Sequence, residues 1–133
     1  MQIARRILVR APRPITLARL GLGVMILLAG SHKLAAPGAW AAYVTDWLAP
    51  WLVVSPITFM LLNGVLEVGF GLAILADRRT VLTAGVAAVS ISATVGYLAL
   101  VAALEGGLFL DVLVRDVGLA ALAWAVTLDA LGR

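Results

Sequence analysis

The chain has 133 residues, 63% of them hydrophobic and only 13% charged, with a mean hydropathy of +1.09. A soluble domain this small gives much of its area to water, so the composition excludes one and specifies a single integral membrane domain over residues 1–133. The formal charge of +3 does not mark a nucleic-acid partner, because the basic residues gather at the ends of apolar runs; the lack of cysteine removes disulfides, thiolate catalysis and Cys-held zinc or iron–sulfur clusters.

The N-terminal stretch MQIARRILVRAPRPITLARL has the charge of a signal peptide but no convincing cleavage site, so the apolar run after it is expected to be a retained first helix, residues 15–34. At about 100° per residue, Arg19, Gly23, Gly30 and Lys33 share one face of that helix, a basic and glycine-bearing stripe expected to face the bundle. His32 points away from it and reads either as a solvated side chain or as a ligand-binding or catalytic group.

The loop that follows is aromatic. Trp40, Tyr43, Val44, Trp47, Leu48 and Trp51 recur at helical spacing between Pro37 and Pro56, with Pro50 stopping the helix early. The spacing predicts a short interfacial helix whose tryptophans either anchor it at the bilayer surface or form a lid over a ligand cavity.

A second span, residues 57–76, carries Asn63 and Glu67 one turn apart on one face. Counting inward places Glu67 roughly 15 Å deep, where an unpaired carboxylate costs a few kcal/mol and needs protonation, hydrogen bonds or a cation. Arg19 is the expected partner. The pair would be either an interhelical lock or a working site. The third span, residues 80–104, has Ala84, Ala88, Ser92 and Gly96 at every fourth position, a small-residue face suited to close packing; Gly64 and Gly71, and Gly118, Ala121 and Ala125, suit the second and fourth helices to the same use. The fourth span, residues 112–131, opens with Arg115 and Asp116, and Asp116 is expected to reach Lys33 or Asn63 near the outer surface.

Together these segments predict an all-α fold, a bundle of four transmembrane helices with a short interfacial helix in the first outer loop. Arg5, Arg6, Arg10, Arg13, Arg19, Arg78, Arg79 and Arg133 then fall on one side and only Lys33 and Arg115 on the other, which predicts a multi-pass protein of the cell membrane with both termini cytoplasmic. No metal motif, phosphate loop, nucleophile elbow or covalent haem site occurs, and one histidine cannot supply bis-His ligation. The chain has no catalytic motif of its own; redox chemistry here would use a diffusible quinone or a partner's cofactor.

An arginine opening helix one, then LGVMILLAGSHKL, NGVLEVGFGLAIL and RDVGLAALAWAV in order, resembles the DoxX-like family of small bacterial and archaeal membrane proteins, from about Arg19 to Leu131. The resemblance implies a four-helix membrane bundle. The family's name comes from a terminal quinol oxidase and thiosulfate:quinone oxidoreductase system, so the resemblance implies a small accessory subunit of a quinone-linked respiratory or redox assembly, with other subunits or further copies of itself as partners in the bilayer. Two other roles stay open: a non-catalytic assembly subunit, and a small-molecule or lipid-binding, transporter-like protein with a cavity between Glu67 and the aromatic loop. The site expected is a polar network of Arg19, Lys33, Asn63, Glu67, Arg115 and Asp116, with His32, Trp40 and Trp47 as secondary candidates and no metal.

Overall fold

The computed structural model describes residues 12–133. Arg5, Arg6 and Arg10, on which the expected orientation partly rests, lie outside the described residues. All regular structure among the described residues is helical: α1 (Pro14–Ala35), α2 (Pro37–Ala41), a 3-10 turn (Ala49–Leu52), α3 (Pro56–Leu75), α4 (Thr80–Leu104) and α5 (Leu110–Leu131). The four long helices begin and end within about two residues of the apolar runs in the sequence. Proline opens α1, α2 and α3 at their first turn, where its missing N–H costs no helical bond. Ser55 caps α3, its hydroxyl accepting from Thr58 N at 3.2 Å.

Among the described residues three helices, α1, α3 and α4, are long and apolar enough to cross a membrane. Helix α5 is as long as α1, but with Asp111, Arg115, Asp116 and Asp129 every 18-residue stretch of it carries three charged residues, against at most two in α1.

The helices associate as two tight pairs, α1 with α3 and α4 with α5, and the pairs meet along looser seams. Glycine sets the first pair. A Cβ on Gly30 would lie 2.8 Å from the Gly64 carbonyl oxygen and 2.8 Å from the Val68 nitrogen, and one on Gly71 would lie 2.7 Å from the Leu27 nitrogen. Side chains there would force the backbones apart, so the stripe on α1 does face a neighbour, and that neighbour is α3. The expected face on α4 holds only in part. Ala84 and Ala88 are fully buried, but Gly96 is exposed and a Cβ there would meet nothing within 4 Å. On α5 the buried positions are Asp116, Ala123, Val126 and Thr127, whereas Gly118, Ala121 and Ala125 are exposed. The spacing of small residues alone did not fix the rotation of these two helices, because lipid tolerates small and large apolar side chains alike.

The packed core, built on Leu22, Ile26, Ile74, Ala88 and Val126, fills the end of the bundle that carries the α3–α4 turn. The opposite end, beneath the aromatic loop, is where the bundle is hollow.

The loop itself is not one helix. Helix α2 stops at Ala41 because Tyr97 of α4 intercepts the backbone. The Tyr97 hydroxyl donates to the Tyr43 carbonyl at 2.7 Å and accepts from the Thr45 N–H at 3.1 Å, two groups that a continuing helix would use itself. Periodicity alone predicted the longer helix, and a tertiary hydrogen bond overrides it.

Candidate functional site: a lidded cavity with two ion pairs

A cavity of about 530 Å³ lies between the two helix pairs and reaches the underside of the loop. Its walls are apolar: Met25, Ile26 and Ala29 from α1, Phe59, Leu66 and Phe70 from α3, Ile91 and Leu98 from α4, and Leu119 from α5. Trp40, Tyr43, Val44, Leu48 and Leu52 roof it. Into this surface project Lys33, Asn63, Glu67, Arg115 and Asp116. Five of the six residues expected to form a polar network therefore share one chamber. The volume falls within the usual range of small-molecule sites, which are mostly apolar with a few placed polar groups.

Helix geometry brings Lys33 and Glu67 together. Gly30 lets α1 and α3 touch, and one turn further on the Lys33 ammonium donates to Glu67 Oε1. Both side chains are largely shielded. The same ammonium sits 4.6 Å from the centre of the Trp40 ring, a cation–π contact that ties the roof to the ion pair. The second carboxylate oxygen of Glu67 is buried and has no hydrogen-bond partner among the described residues. Across the cavity, Arg115 Nε donates to Asp116 Oδ1 at 2.9 Å, and Asp116 is only 8% exposed. Asn63 turns its amide back to the Phe59 carbonyl at 2.8 Å.

Three expected pairings are corrected. Glu67 is held by Lys33, not Arg19. Arg19 instead caps the C-terminus of α3, with Nη1 donating to the Ile74 and Leu75 carbonyls at 2.5 and 2.8 Å, where the helix leaves orphan acceptors. Asp116 pairs with its neighbour Arg115 rather than with Lys33 or Asn63, and it is buried rather than close to water.

The secondary candidates divide. Trp40 lines the cavity, and its Nε1 donates to His32 Nδ1 at 2.9 Å. His32 and Trp47 do not line it: His32 is exposed and positions the Trp40 ring, while Trp47 Nε1 donates to Glu105 Oε1 at 3.1 Å and fixes the loop to the end of α4. The aromatic loop thus serves as a roof through Trp40 and Tyr43, while Trp51, 80% exposed, points outward as a surface tryptophan does. Sequence reasoning missed Tyr97. A tyrosine inside an otherwise apolar helix is the signal that would have found it, since a shielded phenol O–H needs a partner.

The DoxX family model matches residues 15–101, from the first turn of α1 almost to the end of α4. The chain belongs to the DoxX family. It matches no curated protein and no solved structure. The family match spans the α1–α3 glycine contact, Lys33, Glu67, the roof and Tyr97, so it covers most of the cavity of this DoxX protein; Arg115 and Asp116 lie beyond it.

At the other end of the bundle Arg19 also approaches Asp77, at 3.8 Å, and Arg133 Nη1 donates to Asp77 Oδ2 at 2.8 Å. Arg133 first, then the Thr80 hydroxyl, holds the Asp77 carboxyl down from 3.8 to about 2. A depressed folded-state value means that the contribution to stability is complete above the ordinary aspartate range and is lost as pH falls through about 4 to 2. Asp77→Asn should therefore narrow the drop in melting temperature between pH 5 and pH 2 in detergent. An unchanged drop would mean that the turn takes no part in acid unfolding. The effect is modest, because the group is partly exposed and screened.

Proposed function

We propose that this DoxX-family protein binds a lipid-soluble small molecule, a quinone or quinol, in the lidded cavity, and that it serves as a small, non-catalytic subunit of a quinone-linked redox assembly in the cell membrane. The observation that carries the binding reading is the cavity itself: an apolar chamber of small-molecule size whose polar groups converge from α1, α3 and α5. A soluble metabolite would leave the Met, Leu, Ile and Phe walls against water; a quinone ring with an isoprenoid tail covers them. Such a ligand supplies exchange of two electrons and two protons. Lys33 and Glu67 would hold its head by hydrogen bonds, and Trp40 and Tyr43 would close over the ring. The residues present fit that group, since they offer both donors and an acceptor within an apolar wall. Among the described residues, no group of three or more histidine or carboxylate side chains could hold a metal ion.

The same reading takes α5 as a fourth crossing, with Asp111 and Asp129 toward the headgroup layers at its two ends and Arg115 and Asp116 turned into the cavity rather than toward lipid. Both termini then face the cytoplasm, following the arginine bias, and the roof faces outward. The electron donor and acceptor belong to partner subunits.

The experiment is native mass spectrometry of protein extracted gently from its own membrane, compared with an Ala93→Trp variant. Ala93 lines the cavity from an exposed position on α4, so tryptophan narrows the chamber without entering the packed core. The unaltered protein should retain a quinone-sized adduct and the variant should lose it at an unchanged melting temperature. Equal retention by both would place the adduct outside the cavity, and the absence of any small-molecule adduct would overturn the binding role.

A further inference from the structure

We infer that the cavity selects the reduced, hydroxyl-bearing form of its ligand, whose O–H is donated to Oε2 of Glu67. This rests on the binding role proposed above and adds the chemical form of the head. The deciding atom is that second carboxylate oxygen. Oε1 is occupied by the Lys33 ammonium, while Oε2 is buried and has no donor among the described residues. Buried polar groups in folded proteins are almost always satisfied, and an orphan carboxylate oxygen in an apolar wall is costly.

An ionised carboxylate only accepts. Its complement is therefore a donor, and the donor must arrive on a mainly apolar molecule, because the rest of the chamber is Met, Leu, Ile and Phe. Among the described residues no side chain donates to Oε2. The Asn63 amide is committed to the Phe59 carbonyl, and the Tyr97 hydroxyl to the loop backbone. Arg115 is turned to Asp116.

The two redox forms of one ring differ in this property. A quinone carbonyl can accept from the Lys33 ammonium, which has protons beyond the one given to Glu67, but it brings nothing for Oε2. A quinol oxygen can also accept from Lys33, though more weakly than a carbonyl, and its O–H satisfies Oε2, the acceptor that a quinone leaves unpaired. A hydrogen bond to a charged acceptor in a shielded site is worth about a tenfold difference in affinity or more. The consequence for a redox assembly is one of potential: a site that holds the reduced form more tightly raises the reduction potential of the bound couple, so its ligand rests as quinol rather than quinone.

The test uses three probes with the same ring and decyl tail: the quinol, the quinone and the dimethyl ether of the quinol. Binding is measured anaerobically to the purified full chain in detergent, by quenching of tryptophan fluorescence and by the shift in melting temperature. The quinol should bind about tenfold tighter than the quinone or better, and the ether, which lacks the O–H, should bind no better than the quinone. In a Lys33→Met, Glu67→Gln double variant, which leaves no orphan charge, the preference for quinol over quinone should fall to less than about threefold. Equal affinity for quinol and quinone overturns the selection while leaving the binding role intact, as does an ether that binds as tightly as the quinol or a preference that survives in the double variant. No binding of any of the three probes overturns both.

Discussion

Gly30→Leu is expected to cost about 3 kcal/mol or more and to prevent α1 and α3 from assembling, whereas Gly96→Leu should leave stability within about 0.5 kcal/mol. The two glycines differ in what surrounds them. At Gly30 even a single carbon would press at 2.8 Å on backbone atoms of α3, and backbone cannot swing aside as a side chain can. At Gly96 the space is open. The measurement is unfolding of purified protein in mixed micelles, monitored by helicity. Similar melting temperatures for the two variants would refute the α1–α3 contact. The comparison also bears on the site, since Gly30 sits one turn from Lys33 and its close approach sets the reach of Lys33 to Glu67.

Lys33→Met is the second large effect expected. It removes the one cation that pairs with Glu67 among the described residues and leaves a carboxylate in an apolar wall, at a cost of about 3 kcal/mol. Adding Glu67→Gln should recover most of that loss, because the double variant contains no buried charge. Arg19→Gln should show no such coupling to Glu67→Gln, because Arg19 caps the far end of α3. A full double-mutant cycle on both pairs decides the matter. A double variant no more stable than Lys33→Met alone would mean that the ion pair is not what balances Glu67.

How much of this was legible in the sequence depends on which variable sets each feature. Helix positions follow from hydropathy, which is written residue by residue, and the long helices fall where the apolar runs do. That Lys33, Asn63, Glu67, Arg115 and Asp116 belong together follows from the cost of charge in lipid, which drives such groups inward. The pairing was not read correctly because depth counted from each helix end ignores register. The register was nevertheless present. Gly23 and Gly30 are seven residues apart, as are Gly64 and Gly71. Laying these two steps antiparallel sets Gly30 on Gly64 and Gly23 on Gly71, which is how they meet. That match carries Arg19 to the end of α3, at Leu75, and leaves Lys33 as the nearer cation to Glu67. The termination of α2 was not legible in this way. It depends on a tyrosine 54 residues further along the chain from Tyr43.

The attachment made by Tyr97 bears on how such a protein can diversify. Two of the three groups its hydroxyl engages are main-chain groups, the Tyr43 carbonyl and the Thr45 N–H, present whatever side chains those positions carry. The seating of the roof is thereby uncoupled from its chemistry. Residues facing the cavity from the loop, such as Val44 and Leu48, can be exchanged for larger, smaller or more polar ones while the backbone stays pinned at the same point on α4. One half of the chamber is free to change its lining, and the other half, welded by glycine and carrying the Lys33–Glu67 pair, is not.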